Sequence, residues 1–297
     1  MLLNQQNMDA IFNGFKAVYT DAFSAAPSNY EKVSMVVPSG AREETYGWLG
    51  QFPKLREWIG PREIKGFEDH SFTIKNRKFE STVRIIRDDF SDDRFGIYKP
   101  MFAEMGHTAR QHPDEMVFNL LRSGFDVPSY DGQSFFDAEH PTRDENNIEI
   151  AMSNLQDGAE TPWFLLDTSR AIKPLIWQER EPYEFQMING ANDYNVVMLD
   201  EYIYGIRSRV NAGFGLWQLA FGSRQPLTAE NYANARASMM MTRGDQGRLL
   251  GVLPNTLVVP PSLESDALAI LNTEVADSTS NVWRNTAELI VTPHVAT

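Results

Sequence analysis

The chain has 297 residues, 42% of them hydrophobic with 18 Phe and 6 Trp, which suits one large or two intertwined domains and excludes global disorder. A formal net charge of −13 argues against general affinity for nucleic acid or an anionic membrane, because phosphate binding needs a cationic surface. Zero cysteines exclude disulfides and thiolate metal sites, and no apolar run reaches the roughly 20 residues that span a bilayer.

The opening residues, MLLNQQNMDAIF, carry neither the basic region nor the continuous apolar run of a signal peptide, so a soluble product of a reducing cytoplasm is expected. Apolar groups then recur at Met8, Ile11, Phe12, Phe15, Val18, Tyr19 and Phe23, predicting an amphipathic helix over 6–25 that stops at Pro27-Ser28-Asn29. Such an aromatic stripe docks either on its own domain or on another molecule. Residues 30–62 are aromatic and punctuated by Gly and Pro, predicting an irregular segment with short strands and one helical turn at 53–58. The β-prone runs 70–75 and 78–86 flank Asn76-Arg77, predicting a hairpin with Lys75, Arg77 and Lys78 at its tip; a solvated turn is the plain reading of that cluster. Asp88, Asp89, Asp92 and Asp93 lack the spacing, the central Gly and the terminal Glu of a calcium loop, and suit the positive end of the helix that follows.

That helix is the organising element. Ile97, Met101, Phe102, Met105, Ala109, Met116, Val117, Leu120 and Leu121 recur mostly at three or four residues, predicting a long buried stripe over 97–123. At about 1.5 Å per residue it reaches roughly 40 Å, enough to act as a spine. Pro113 predicts a kink or break at Gln111-His112, and Gly124 a C-terminal stop.

After the spine come Tyr130-Asp131-Gly132-Gln133-Ser134-Phe135-Phe136 and Asp137-Ala138-Glu139-His140-Pro141. Together with HPDEMVFNLL before them, Lys78-Phe79-Glu80-Ser81-Thr82 upstream and the Asp88-Asp89 and Asp92-Asp93-Arg94 pairs, these motifs resemble the major head protein family of bacteriophage Mu and Mu-like prophages. The resemblance runs over most of the chain and implies an α+β protein of the Hong Kong 97-type capsid fold. It implies an N-terminal arm and linker over 1–56 and an extended loop over 57–87. A peripheral domain with the spine would occupy 88–125, an axial domain with returning strands 126–280, and a C-terminal strand 281–297. It further implies a virion shell protein, assembled in the host bacterial cytoplasm from pentameric and hexameric capsomers of itself. A scaffolding protein, a head protease, a portal and packaged double-stranded DNA, held without sequence-specific binding, are the implied partners. Under this resemblance Phe12, Phe15, Tyr19 and Phe23 on the arm, and Lys75, Arg77 and Lys78 at the hairpin tip, become intersubunit contacts. The isopeptide cross-link of the fold's namesake finds no matching motif here.

Residues 142–162 turn polar and predict a surface loop. Strands are expected at 163–167 and at 172–177, the latter restricted to an edge or bulge by Lys173-Pro174. A charged segment follows at 179–184, then further β-prone runs at 194–198, 202–210 and 216–221, lying beside the spine. A helix over 227–241 is capped by Thr228, a short strand covers 257–259, Ser262 caps a helix over 263–271, and 287–291 returns as a strand. Helices and strands mixed in this order make the class α+β.

Catalytic motifs are missing. His107 and His112 stand five apart, not the four of a zinc helix, and no G-x-S-x-G elbow is present. Gly244-Asp245-Gln246-Gly247 lacks the Lys-Ser or Lys-Thr of a phosphate loop, and Arg243-Gly244-Asp245 is too short to carry meaning. Arg77, Arg84 and Arg87 among aromatics suggest single-strand stacking, which the acidic balance opposes. His140 with Asp137 and Glu139 can be drawn as a hydrolase or ligand set, against the plainer reading of a His-Pro turn. The expected protein is therefore a capsid subunit with no cofactor and no enzyme activity; another tail or baseplate structural protein and a His140 hydrolase are the alternatives.

Overall fold

A computed structural model describes residues 5–49, 72–92, 95–146, 148–190, 192–244, 247–276 and 279–296. In chain order the elements begin with helices α1 (Gln5–Ala25) and α2 (Tyr30–Val33) and strands β1 (Ser34–Pro38), β2 (Glu43–Tyr46), β3 (Phe72–Lys75) and β4 (Arg77–Ile86). Helix α3 (Arg87–Ser91) leads to the spine α4 (Lys99–Ser123), followed by β5 (His140–Arg143), β6 (Glu149–Met152), β7 (Leu155–Gln156) and β8 (Trp163–Leu166). The long strands β9 (Leu175–Ile188) and β10 (Glu201–Phe214) flank α5 (Tyr194–Leu199). Then come β11 (Ala220–Ser223), α6 (Ala229–Met240), β12 (Thr256–Val259), α7 (Glu264–Leu271), β13 (Val275–Ala276), β14 (Thr279–Ser280) and β15 (Glu288–Val291).

Two sheets carry the architecture. The first runs β1-β9-β10-β4 and the second β15-β12-β8-β11-β7. In the second, β8 (Trp-Phe-Leu-Leu) and β12 (Thr-Leu-Val-Val) are buried at every position, as continuous apolar runs are when both faces are covered. Helices α6 and α7 pack there around Tyr232, Ala235, Met239, Ala267, Ile270 and Leu271. The spine crosses to the first sheet, placing Val117, Phe118 and Leu121 in a middle core with Trp177, Phe214 and Trp217. Its N-terminal half, through Phe102, Met105 and Ala109, joins α1, β9 and β10 in a third.

The spine is α-helical without interruption through the buried Pro113, so the expected break does not occur. Gly124 ends it as expected, for a different reason. Its φ of −62° is ordinary, but a Cβ there would lie 2.9 Å from the ring of Phe136. Ile97 falls outside the helix and is exposed.

Several local expectations are corrected. The hairpin across Asn76-Arg77 does not form: β3 pairs with β2, from Glu43 opposite Lys75 to Tyr46 opposite Phe72, whereas β4 pairs with β10. An Asn-Arg pair lacks the glycine that favours a tight two-residue reversal. Asn76 is instead a junction whose amide donates to Ser39 Oγ (2.8 Å) and to the Ala41 carbonyl (2.9 Å). The charged run 179–184 lies inside the central strand β9, where Glu181 meets Arg207 (3.1 Å) and Arg209 (2.9 Å) on β10. Residues 194–198 are helical rather than extended, and 142–162 holds β6 and β7. His140-Pro141 opens a strand instead of a turn. Ser262 lies in a 3-10 turn and makes no side-chain cap, whereas Thr228 Oγ1 accepts from the Asn231 N–H (3.2 Å) as expected. The expected helical turn at 53–58 lies outside the described residues.

Candidate functional site

Three places carry residues singled out by the sequence. The first is the aromatic stripe of α1. Phe15 and Tyr19 are 2% and 5% exposed, covered by their own chain. Phe15 stacks on Phe102 at 4.2 Å and meets Tyr204 edge-on, while Tyr19 stacks on Phe185 at 5.2 Å. Burial pushes the Tyr19 phenol up to about 12. Within the single chain both rings are packed on their own domain. Phe12 and Phe23 stay half-buried, with Arg110 over Phe23 at 5.8 Å.

The approach of α1 to the spine is set by Gly106, where a Cβ would lie 2.4 Å from the Tyr19 carbonyl oxygen. At the far end of α1 the spine's Asp114 carboxylate accepts from Ser28 Oγ (2.7 Å) and from the backbone N–H of Asn29 (2.9 Å) and Tyr30 (2.8 Å). One carboxylate thus satisfies the donors of the turn leading into α2, which sequence spacing could not reveal.

The second is the basic cluster. Lys75 faces Glu43 at 3.9 Å, Arg77 lies over the Phe79 ring at 5.2 Å, and Lys78 is exposed opposite Arg209. These residues mark the passage from β3 to β4, not a hairpin tip. Close by, His112 contacts Phe79 edge-on and its Nδ1 meets the Tyr183 hydroxyl. Burial holds His112 below its ordinary value.

The third is His140. Its Nδ1 meets Asp131 Oδ2 at 2.7 Å and its Nε2 meets Asn154 Oδ1 at 3.1 Å, with its ring flat against Trp217 at 3.9 Å. Asn154 Oδ1 also accepts from the Asp137 N–H, and its amide donates to the carbonyls of Phe135 (2.8 Å) and Trp217 (3.3 Å). That fixes the amide orientation, so Nε2 donates. Nδ1 in turn faces the Asp131 carboxylate, so both ring nitrogens have a polar partner.

The rest of the Tyr130–Phe136 motif serves the same lock. Tyr130 accepts from Gln218 (2.7 Å), Asp131 Oδ1 takes the Gln133 N–H, and Phe135 stacks on Phe214 at 4.3 Å. The partner is Asp131, not Asp137 or Glu139. The histidine is wholly buried with both nitrogens engaged, so no substrate can reach a free base there. The hydrolase alternative fails on geometry.

The matched family decides what such an arrangement is for. The family model described as "Mu-like prophage major head subunit gpT" matches residues 8–295. The chain belongs to this family. Its relatives include the major capsid protein of Escherichia phage Mu, 41% identical over 99% of this chain and 100% of that protein. The Mu-like prophage FluMu major head subunit of Haemophilus influenzae is 40% identical over 90% of this chain and 89% of its own length. Among solved structures, a chain of the bacteriophage JBD30 procapsid matches with a TM-score of 0.86 and 42% identity, over 98% of this chain and 100% of that one. The JBD30 capsid matches with 0.78 and 32%, over 93% and 94% of the two chains.

The Mu-like head subunit accordingly has the Hong Kong 97-type capsid fold, and it is a major capsid protein of the virion shell, a structural component instead of an enzyme. The tail and baseplate alternative gives way with the hydrolase. No helix of the described residues is long and apolar enough to cross a membrane.

Proposed function

We propose that copies of this head subunit close into an icosahedral shell around double-stranded DNA through heterologous contacts within pentameric and hexameric capsomers. The reading rests most on the full-length likeness to the JBD30 procapsid chain. Residues 88–125 with the returning strands act as the peripheral part, 126–280 as the axial part and 281–297 as the closing strand; 1–56 and 57–87 supply the arm, linker and extended loop. Obligate interfaces of this kind bury on the order of 2,000–5,000 Å².

With Phe15 and Tyr19 buried in their own chain, contact between copies falls to residues that keep free surface, Phe12 and Phe23, Lys75, Arg77 and Lys78; most of the expected loop between β2 and β3 lies outside the described residues. A scaffolding protein, a head protease and a portal take part in assembly. The net charge of −13 weakens general affinity for the packaged DNA, which is enclosed without sequence-specific binding.

The test is expression of the full chain with its scaffolding partner, followed by sedimentation and negative-stain microscopy. Closed shells are expected. A species that stays monomeric at high concentration beside that partner would overturn the proposal.

A further inference from the structure

His112 is a half-buried titratable group that joins the spine to two strands at one point. Its ring meets Phe79 of β4 edge-on at 4.3 Å and Tyr183 of β9 edge-on at 5.8 Å, with Nδ1 against the Tyr183 hydroxyl. Phe79 also carries the Arg77 guanidinium, 5.2 Å from its ring centre. Arg77 and Phe79 open β4, directly after the Asn76 junction at which β3 ends. Side chains alternate along a strand, so these two share one face of β4, and Lys78 and Glu80 share the other. In its sheet β4 is the edge strand, paired with β10, so its first residues can lift without dismantling the rest.

Each element packed around His112 brings its own polar groups. On the spine, Glu115 one turn away favours a charged ring, whereas Arg77 on β4 opposes it. Strand β9 brings the Tyr183 hydroxyl, which burial keeps protonated, and Glu179 farther along. From β10 comes the uncharged Ser208, and α1 contributes the Phe23 ring, 6.2 Å from that of Tyr183. The other spine charges nearby are engaged elsewhere, Arg110 with Glu31 and Asp114 with the turn into α2.

We propose that His112 is a proton-operated catch: neutral, it clamps the start of β4 onto the spine, and protonated, it releases Arg77 and Phe79 and loosens the passage from β3. The consequence for assembly rests on the reading above that Lys75, Arg77 and Lys78 on this passage touch other copies. The physics is local. A second proton puts a full charge in a half-buried site beside a like charge, and lifting the strand end rehydrates the ring and separates the two cations. In the clamped form burial, with help from Arg77, holds the ring below its ordinary 6.5, to which it returns when the strand lifts. Falling pH across that interval therefore favours the lifted form, by at most about tenfold per pH unit for one proton.

Hydrogen exchange read by mass spectrometry on dissociated full-length subunits tests the catch, with rates corrected for the intrinsic pH dependence of amide exchange. Between about pH 7.5 and about pH 5, protection over residues 77–81 is expected to fall by up to about tenfold per pH unit below 6.5, while β12 stays unchanged. His112→Gln stays neutral and keeps a polar atom for Tyr183, so it should abolish this pH dependence. Arg77→Gln, at an exposed position, should weaken it. Shell yield from the wild type should then differ between the two pH values, and that from His112→Gln should not.

No fall in the wild type, or a fall of equal size in His112→Gln, would overturn the catch. Loss of protection in β12 to the same extent would mark general acid unfolding and overturn it as well. An equal response of shell yield to pH in both proteins would overturn its role in assembly. A working catch in subunits that close into shells at neither pH would instead overturn the shell-closure reading.

Discussion

Gly106 tests the helix–helix contact on which the described N-terminal segment depends. A methyl group placed there would sit 2.4 Å from the Tyr19 carbonyl oxygen, 3.0 Å from the Phe23 nitrogen and 3.2 Å from the Ala22 Cβ. The two nearest atoms are backbone, so no side chain can step aside. Helix α1 must retreat by at least about 0.6 Å to reach a tolerable contact, loosening Phe15 against Phe102 and Tyr19 against Phe185. Alanine in a helix interior is worth about 1 kcal/mol over glycine, which opposes the clash. Overpacking typically costs about 1–3 kcal/mol, more where backbone must move, and the aromatic pairs add about 0.5–1.5 kcal/mol each. The net expectation for Gly106→Ala is a loss of roughly 1–3 kcal/mol. Gly14, on the exposed face of α1, has nothing within 4 Å of its Cβ position, so Gly14→Ala should gain up to about 1 kcal/mol. Urea unfolding of dissociated subunits reads both as shifts in midpoint at constant slope. Equal stabilisation by the two alanines would refute the close approach.

Three further outcomes follow from the cores. Asp131→Asn replaces the carboxylate that faces the buried His140 Nδ1 and should cost about 1–3 kcal/mol, whereas adding His140→Gln should recover part of it; a double-mutant cycle on unfolding free energies checks the coupling. Asp114→Ala removes the acceptor of three hydrogen bonds at the turn into α2 and should cost about 2–4 kcal/mol, with faster proteolysis near residues 26–30 as the local readout. His112 is held below its ordinary 6.5 by burial, so below that pH the unfolded chain binds more protons than the folded one. Its contribution is complete above 6.5 and is lost as pH falls from there toward the folded value; His112→Gln should flatten that part of the stability–pH curve.

The spine is legible because a 25-residue helix repeats its apolar stripe often enough to declare a period. Strands β8 and β12 and the Thr228 cap are legible for similar local reasons. What escapes is set by distant residues. Glu179, Glu181 and Glu184 look like a solvated run until β10 supplies Arg207 and Arg209 opposite Glu181, which turns the run into a central strand. Asn76-Arg77 looks like a turn until Ser39 and Ala41 claim the Asn76 amide. Residues 194–198 are β-prone in composition, yet Asn195 closes them into a helix through carbonyls on both flanking strands. His140 stands out in the sequence beside Asp137 and Glu139, but its partner Asn154 is 14 residues away and Trp217 lies much farther along the chain. The nearer Asp131 reads only as part of a motif. No local signal marks such a set.

The burial of α1 also changes where the shell must find its adhesion. A contact to a neighbour made through Phe15 and Tyr19 would have to take them out of their own core. Here departure would uncover Phe102, Phe185 and Tyr204 and forfeit the closest helix contact on the spine. Removing a buried Phe costs about 3–5 kcal/mol on its own, so detaching Phe15 and Tyr19 together would consume much of the roughly 5–15 kcal/mol that holds a typical domain folded. Truncating residues 1–27 therefore cannot separate a lost contact from a lost core, because both abolish shells. Substitutions confined to exposed side chains can. If those on Lys75, Arg77 and Lys78 impair shells while leaving the unfolding midpoint alone, part of the adhesive surface lies at the sheet's edge, beside whatever the exposed face of α1 contributes.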